Sequence, residues 1–331
     1  MREELLSIHG LKTYFYTREG IVKAVDGVSF DIKRGEIFGL VGESGCGKTV
    51  TSLSIMRLVS DPPGKIISGH VLFEGENLIA KREDEMRNIR GGKISMIFQD
   101  PTSSLNPILT IGDQIMEAIK KHQRLNKKQA KEKAIEIMEL VGISNPSLRL
   151  REYPFQFSGG MRQRIMISIA ISCNPSLLIA DEPTTNLDVT IQAQILNLIK
   201  KISESSNISI LLITHNLGIV AWLCDRVAVM YSGKIVECAD AETIFSDPKH
   251  PYTKALLECI PKIYQEQKQL HIIKGRVPNL IELPSGCRFH PRCPQAMNIC
   301  TKEEPKTIEI TPRHTISCHL FNQNIQVHIK R

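Results

Sequence analysis

The sequence predicts an α/β fold with a mixed β core, and two observations carry that prediction. Apolar strand-like runs alternate with helical stretches along most of the chain. One such run, Ile37-Phe38-Gly39-Leu40-Val41, delivers the chain into the glycine-rich loop Gly42-Glu43-Ser44-Gly45-Cys46-Gly47-Lys48-Thr49, with a helical pattern after it. The length of 331 residues and a hydrophobic content of 42% suffice for a large core. One large domain plus an appendage is the expectation. The formal charge of +7, from 42 basic and 35 acidic residues, is a mild bias that does not argue for nucleic acid.

The elements follow in order. Met1-Arg2-Glu3-Glu4-Leu5-Leu6 carries mixed charges and no apolar core of signal-peptide length, so a cytoplasmic location is expected. Val28-Ser29-Phe30-Asp31-Ile32 alternates like a half-buried strand, and Lys33-Arg34-Gly35 turns into the buried run at Ile37. After Thr49, the spacing of Leu53, Met56 and Leu58 fits a helix. Further strands are expected at Ile94 to Phe98, Leu177 to Ala180, Ile208 to Ile213 and Val227 to Tyr231, the last turning at Ser232-Gly233 into Lys234 to Glu237. Gln114 to Val141 reads as one helix within a helix-rich insertion over residues 100–175. The longest apolar stretch, Ile165 to Ala180, is broken by Asn174-Pro175, so any membrane role is expected to be peripheral. The basic run Lys120-Lys121-His122-Gln123-Arg124-Leu125-Asn126-Lys127-Lys128 reads as a solvated helix-end loop, against contact with lipid headgroups or an acidic partner patch.

The loop from Gly42 to Thr49 fits G-x-x-x-x-G-K-T, the P-loop pattern. Its glycines let successive backbone N–H groups curl around phosphate oxygens without a Cβ in the way. Gly42, Ser44, Gly45, Cys46, Gly47, Lys48, Thr49 and Val50 are the expected ATP-binding residues. Lys48 supplies positive charge to the β and γ phosphates, and Thr49 offers a hydroxyl to Mg2+. The helix N-terminus adds about half a positive charge toward the anion. Downstream, Leu177-Leu178-Ile179-Ala180-Asp181-Glu182-Pro183 is an apolar strand ending in two carboxylates, where open α/β sheets place their sites. Asp181 is expected to hold the metal through water, and Glu182 to act as general base on the attacking water.

Ser158-Gly159-Gly160 precedes the helical stretch Met161 to Ser172 and presents a second helix N-terminus with a hydroxyl and exposed amides. The order Gln99, Ser-Gly-Gly, Asp-Glu-Pro and His215 over residues 1–245 resembles the ATP-binding subunits of ABC transporters. The resemblance implies a nucleotide shared by two such domains arranged head to tail. It makes Gln99 the residue touching Mg2+ and the permease, and Ser158, Gly159 and Gly160 the signature that contacts the partner's γ-phosphate. Asn186-Leu187-Asp188 becomes the D-loop, with Asp188 its acid, and His215 the switch residue that holds the γ-phosphate and the water. The family signature commonly begins with Leu and has Gln after its glycines, whereas this chain has Phe157 and Met161. Neither change removes a phosphate donor. Adenine is expected to stack on an aromatic of Tyr14-Phe15-Tyr16, with Phe15 the first choice and Tyr16 the second.

Residues 246–331 extend beyond such a domain and are too few for an ordinary independent core. Four of nine cysteines lie there, Cys287, Cys293, Cys300 and Cys318; the other five are scattered and read as small apolar fillers. In a reducing compartment such a cluster favours a metal site over disulfides. The candidates are a 4Fe-4S cluster on four thiolates and structural zinc, with His290 or His319 available. The spacing lacks the tight C-x2-4-C pairs common at zinc. Gly275-Arg276-Val277-Pro278 through Cys287-Arg288-Phe289-His290-Pro291-Arg292-Cys293-Pro294 looks like the C-terminal region of oligopeptide and dipeptide permease ATPases, similar to members that bind an iron-sulfur cluster.

The expected protein is therefore an ATPase subunit of a di-/oligopeptide importer at the cytoplasmic face of the cell membrane. The resemblance implies a second ATPase subunit, identical or paralogous, two integral-membrane permease subunits, and indirectly an extracytoplasmic peptide-binding protein. Nickel or another small solute is the alternative cargo. A soluble ABC ATPase working on nucleic acid or ribosomes is the alternative of another class, but the long coiled-coil insertion or paired ATPase domains of such proteins are missing here.

Overall fold

A computed structural model of the chain describes residues 3–185, 187–260 and 273–321. These described residues form two compact units, one from residues 3–6, 32–37 and 73–213, the other from residues 7–31, 38–72 and 214–321.

In the first unit the strands Ile94–Ile97, Leu177–Asp181 and Ser209–Thr214 pair in parallel, with Ile97 opposite Ala180 and Asp181 opposite Ile213. Every residue of the second and third strands is buried. That explains their uninterrupted apolar sequence, since a parallel sheet is covered on both faces. Helix Val189–Ser206 links them, capped by the Asp188 carboxylate, which accepts the Ile191 N–H at 2.9 Å.

The helical insertion contains Ile111–Gln123, Lys127–Leu140 and Gly159–Ile171. The stretch read as one helix from Gln114 to Val141 is two. Arg124 takes a left-handed φ of 54°, and Asn126 starts the second helix by a capping box with Gln129. Ile115 and Ile119 of the first helix, Ala134 and Met138 of the second and Ile165 and Ile167 of the third are fully buried, each large aliphatic contributing about 1.5–3 kcal/mol. Lys120, Lys121, Arg124, Lys127 and Lys128 are exposed, as a solvated helix end requires. Asn174, with φ of 52°, ends the long apolar stretch before the strand at Leu177. Among the described residues no helix is long and apolar enough to cross a membrane.

The second unit holds most of the strands Gly20–Lys33, Glu4–Thr17 and Gly64–Phe73, hydrogen-bonded in that order. It also pairs Ile37–Val41 in parallel with Arg226–Tyr231, Val41 lying opposite Val229. The hairpin predicted at Ser232-Gly233 forms with both residues at positive φ, 43° and 84°, the backbone a two-residue hairpin turn prefers. Its return strand runs Lys234–Asp240. The C-terminal residues add two strands to this sheet, His314–Ile316 against Lys234–Asp240 and Ile308–Thr311 outside it. Strand addition and a buried aromatic cluster of Tyr231, Tyr252 and Phe289, with ring centroids 4.6–5.3 Å apart, stabilise a tail too short to build its own core. The Glu237 carboxylate, fully buried, accepts from Lys249 N, His250 N and His314 Nε2 and ties the tail strand to the turn ahead of helix Pro251–Glu258.

Candidate functional site

The phosphate loop lies in the second unit, between strand Ile37–Val41 and helix Lys48–Ile55. Gly42 and Gly47 have φ of 153° and 109°, and a Cβ there would stand 2.1 Å from Met230 O and 2.2 Å from Ala24 O. Only glycine fits such an approach of backbone to backbone. Lys48 is 5% exposed and its ammonium donates to Gly42 O at 2.8 Å and Glu43 O at 3.0 Å, so the charge sits over the mouth of the loop. Ser44, Gly45 and Thr49 are exposed, Val50 is half-buried, and Cys46 is fully buried beneath them. Burial, opposed by the neighbouring Lys48, pushes the Cys46 thiol up. Thr51 and Ser54 turn their hydroxyls back to Gly47 O and Val50 O, so the buried helix leaves those oxygens satisfied.

The loop is also held from outside. Glu43 N donates to the Tyr252 hydroxyl at 3.0 Å, and the Glu43 carboxylate receives both terminal nitrogens of Arg292 at 2.7 and 3.0 Å. Gly233 N donates to Cys46 O at 2.8 Å. Glu43, Tyr252 and Arg292 are not among the site residues expected from the sequence, although Arg292 lies in the tail stretch that carries the family resemblance.

The carboxylate pair lies in the first unit. Asp181 ends its strand at 2% exposure. Glu182 turns out of the strand with a left-handed φ of 46°, its N–H on Ile213 O. A glutamate in that region carries strain of about 1–3 kcal/mol, the kind of conformation that collects at functional sites. Its Oε2 accepts from Gln99 Nε2 at 2.9 Å and Thr185 Oγ1 at 3.0 Å. Two of the sequence-predicted residues, Gln99 and Glu182, are thus in direct contact. Thr185 had no sequence signal beyond its place three residues after Glu182.

The signature residues cap the helix Gly159–Ile171. Ser158 is exposed and its hydroxyl accepts the Met161 N–H at 3.4 Å. Phe157, which departs from the family pattern, is buried under the Arg149 guanidinium, 5.5 Å from its ring centroid. It anchors the turn and leaves the loop outside. Beside this loop lies the stretch taken as the D-loop: a Cβ at Gly160 would meet Ile191 Cγ2 at 2.8 Å, and one at Gly159 would pass Leu187 Cδ2 at 3.7 Å. Asp188 is exposed as a helix cap, Val189 is 82% exposed, and Asn186 lies outside the described residues. His215 is exposed and directly follows the strand Ser209–Thr214; the next residue, Asn216, caps helix Leu217–Leu223.

Of the three aromatics, Tyr14 is committed elsewhere. Its hydroxyl donates to Asp26 at 2.7 Å, and burial and that bond push its pKa to about 12. Phe15 is half-buried with its ring edge toward Gly64, where a Cβ would come within 2.7 Å of it, whereas Tyr16 is 51% exposed. The freer ring is the second choice from sequence.

Cys287, Cys293, Cys300 and Cys318 line one small cavity in the second unit, together with His290 and His319. Burial pushes the Cys287 thiol to about 11 and the Cys318 thiol to about 12, and raises Cys293 as well. His290 Nδ1 is bonded to Cys287 O and His319 Nε2 to Glu303 O. Among the described residues no group of three or more His, Cys, Asp or Glu is arranged to hold a metal ion. Those residues thus present no preformed site for the expected 4Fe-4S cluster or for the zinc alternative, although the four thiols share one cavity.

The family models agree with this geometry. Residues 25–185 match the ABC transporter model, and residues 236–300 match the model of the oligopeptide/dipeptide transporter C-terminal region. The chain is 51% identical over 319 residues to the oligopeptide transport ATP-binding protein AppD of Bacillus subtilis, covering 96% of this chain and 97% of that one. It is 47% identical over 315 residues to the dipeptide transport ATP-binding protein DppD of Escherichia coli, covering 95% and 96%. Among solved structures, the dimeric ATP-binding cassette MJ0796 bound to ADP and Pi is similar with a TM-score of 0.64 at 25% identity, covering 71% of this chain and 98% of the cassette. The mixed-sheet P-loop core, the helical insertion, the ordered motifs and the two family matches lead to one conclusion: this chain belongs to the ABC transporter ATP-binding family, in the group that carries the oligopeptide/dipeptide transporter C-terminal region.

Proposed function

We propose that this chain is the ATP-hydrolysing subunit of an importer for di- and oligopeptides, attached at the cytoplasmic face of the membrane to two permease subunits. The observation that carries the reading is the phosphate loop, with glycines where a Cβ would strike backbone and Lys48 fixed over its mouth. MgATP is the substrate. Backbone N–H groups of Gly45 to Thr49 and the Lys48 ammonium bind the phosphates, and Thr49, Gln99 and Asp181 would hold the magnesium ion, which would neutralise charge on the phosphate oxygens. Glu182 accepts the proton of the attacking water. Gln99 and Thr185 orient its carboxylate through Oε2. His215 steadies the γ-phosphate.

Ser158, Gly159 and Gly160 serve the nucleotide of a second ATPase subunit, head to tail, with Asp188 beside them. The exposure of Ser158, Gly159 and Asp188 supports this, as does the dimeric state of the similar cassette MJ0796. Tyr16, by its exposure, or Phe15 stacks on adenine. ATP binding closes the dimer and hydrolysis reopens it, moving the permease through the region of Gln99 and the helical insertion. For the tail we place a 4Fe-4S cluster on Cys287, Cys293, Cys300 and Cys318, supported by the four thiols on one cavity. Such a group would cross-link the tail loops rather than carry electrons.

The tests are direct. Glu182→Gln is expected to bind ATP and to lower turnover about 100- to 1,000-fold; unchanged turnover overturns the general-base assignment. Cells lacking the chain are expected to lose uptake of a radiolabelled dipeptide while nickel uptake persists; the reverse overturns the cargo. Anaerobically purified protein that is colourless and free of iron overturns the cluster.

A further inference from the structure

The cysteine-bearing segment reaches the phosphate loop through Arg292. The Arg292 side chain is 4% exposed. Besides the two bonds to Glu43, its Nε donates to Lys274 O at 3.1 Å and its guanidinium lies 5.8 Å from the Tyr231 ring centroid. Glu43 is consequently fixed at each polar group. Its N–H goes to Tyr252, its carbonyl takes Lys48 at 3.0 Å, and its carboxylate takes Arg292. Two of those three partners come from beyond residue 245. Arg288, four residues earlier, pairs with Asp26 and donates to Ser232 O. It steadies the turn whose next residue, Gly233, bonds Cys46 O on the other side of the loop.

We propose that Arg292 is a positioning residue of the ATP site, acting through Glu43. The inference rests on the ATPase reading of the phosphate loop. A carboxylate beside a loop that must accept a polyphosphate repels its ligand, and the bidentate guanidinium cancels that charge while fixing the backbone that carries Lys48. Removing the buried Arg292 guanidinium leaves the half-buried Glu43 carboxylate without its counter-charge.

The test measures binding of a fluorescent ATP analogue by the full chain and ATP turnover by the assembled transporter. Arg292→Met is expected to raise the Kd and the KM for ATP about tenfold, with kcat changed less than about twofold. In the double variant Glu43→Gln, Arg292→Met, the Kd is expected to fall back below that of Arg292→Met alone, because the stranded charge is gone. A merely structural role would not produce that recovery. Arg292→Lys, which keeps the charge and loses the fork, is expected to fall between wild type and Arg292→Met. A Kd within about twofold of wild type for Arg292→Met, or a double variant whose loss is the product of the single losses, overturns the proposal. Should Arg292→Met fail to fold, Arg292→Lys and Tyr252→Phe decide, and wild-type Kd values in both overturn it. Wild-type chain that binds no ATP overturns the ATPase reading and the clamp together; wild-type chain that binds ATP, with silent variants, overturns the clamp alone.

Discussion

The two glycine loops of this chain are built in opposite ways. The phosphate loop has two positive-φ glycines packed on backbone, a buried lysine bonded to its carbonyls and a clamp from the C-terminal segment. The signature loop has an exposed serine, a cap bond of 3.4 Å, and glycines with no positive φ that touch only side chains. The difference teaches what each must do. A loop that carries most of the contacts to its own nucleotide gains from preorganisation. A loop whose ligand arrives on another subunit has to stay open on its outer face.

Gly47→Ala should give the largest effect, because its Cβ would stand 2.2 Å from Ala24 O at φ 109°. Strain of about 2–3 kcal/mol is expected, with ATP affinity down about 100-fold by nucleotide titration. An alanine variant of wild-type affinity would show that the loop is not preorganised. Gly159→Ala should behave oppositely, since its Cβ has only an ordinary contact with Leu187 at 3.7 Å. Stability should stay within about 0.5 kcal/mol in urea unfolding, while ATPase activity of the assembled transporter falls about tenfold. Normal turnover would remove this loop from the nucleotide site. Ser158→Ala should cost about 0.5–1 kcal/mol of stability, the worth of a long cap bond.

The smallest effect concerns pH. Burial works against the Asp26 carboxylate, but the Tyr14 hydrogen bond and the cations Lys234 and Arg288 hold its pKa below 3.8, while Tyr14 is raised from 10.0 to about 12. A depressed acid contributes stability above its ordinary pKa and loses it as pH falls through the folded value. The raised phenol contributes below pH 10.0 and loses it as pH rises toward 12. The stability gap between wild type and Tyr14→Phe should therefore be flat from about pH 5 to 9 and shrink on either side. A gap that grows in acid would show that the ion network is not what anchors the strand beneath the phosphate loop.

The legible parts of this protein were local. Strand runs, the glycine loop, the acidic strand end and the hairpin at Ser232-Gly233 are each written within about ten neighbouring residues, where periodicity and turn chemistry operate. The break between Gln123 and Lys127 was local too, in the Asn126–Gln129 box, but the apolar spacing on both sides continued the same helical phase and hid it. The four tail cysteines were legible as a set, and they line one cavity, but their spacing carries no information on the packing that leaves no preformed metal geometry among the described residues. The choice among Tyr14, Phe15 and Tyr16 turned on neighbours far away in sequence, Asp26 for one ring and Gly64 for another.

Motif order and spacing alone assigned the nucleotide chemistry and the family, since the residue types that curl around phosphate or polarise water are few and their separations are set by strand and helix lengths. Tertiary packing alone decided how those groups are held. Arg292 and Glu43 are 249 positions apart, and Gln99 and Glu182 are 83 apart. No local pattern couples such pairs; they meet because sheet order and the docked C-terminal strands bring their backbones together, and their charges then select the rotamers that pair.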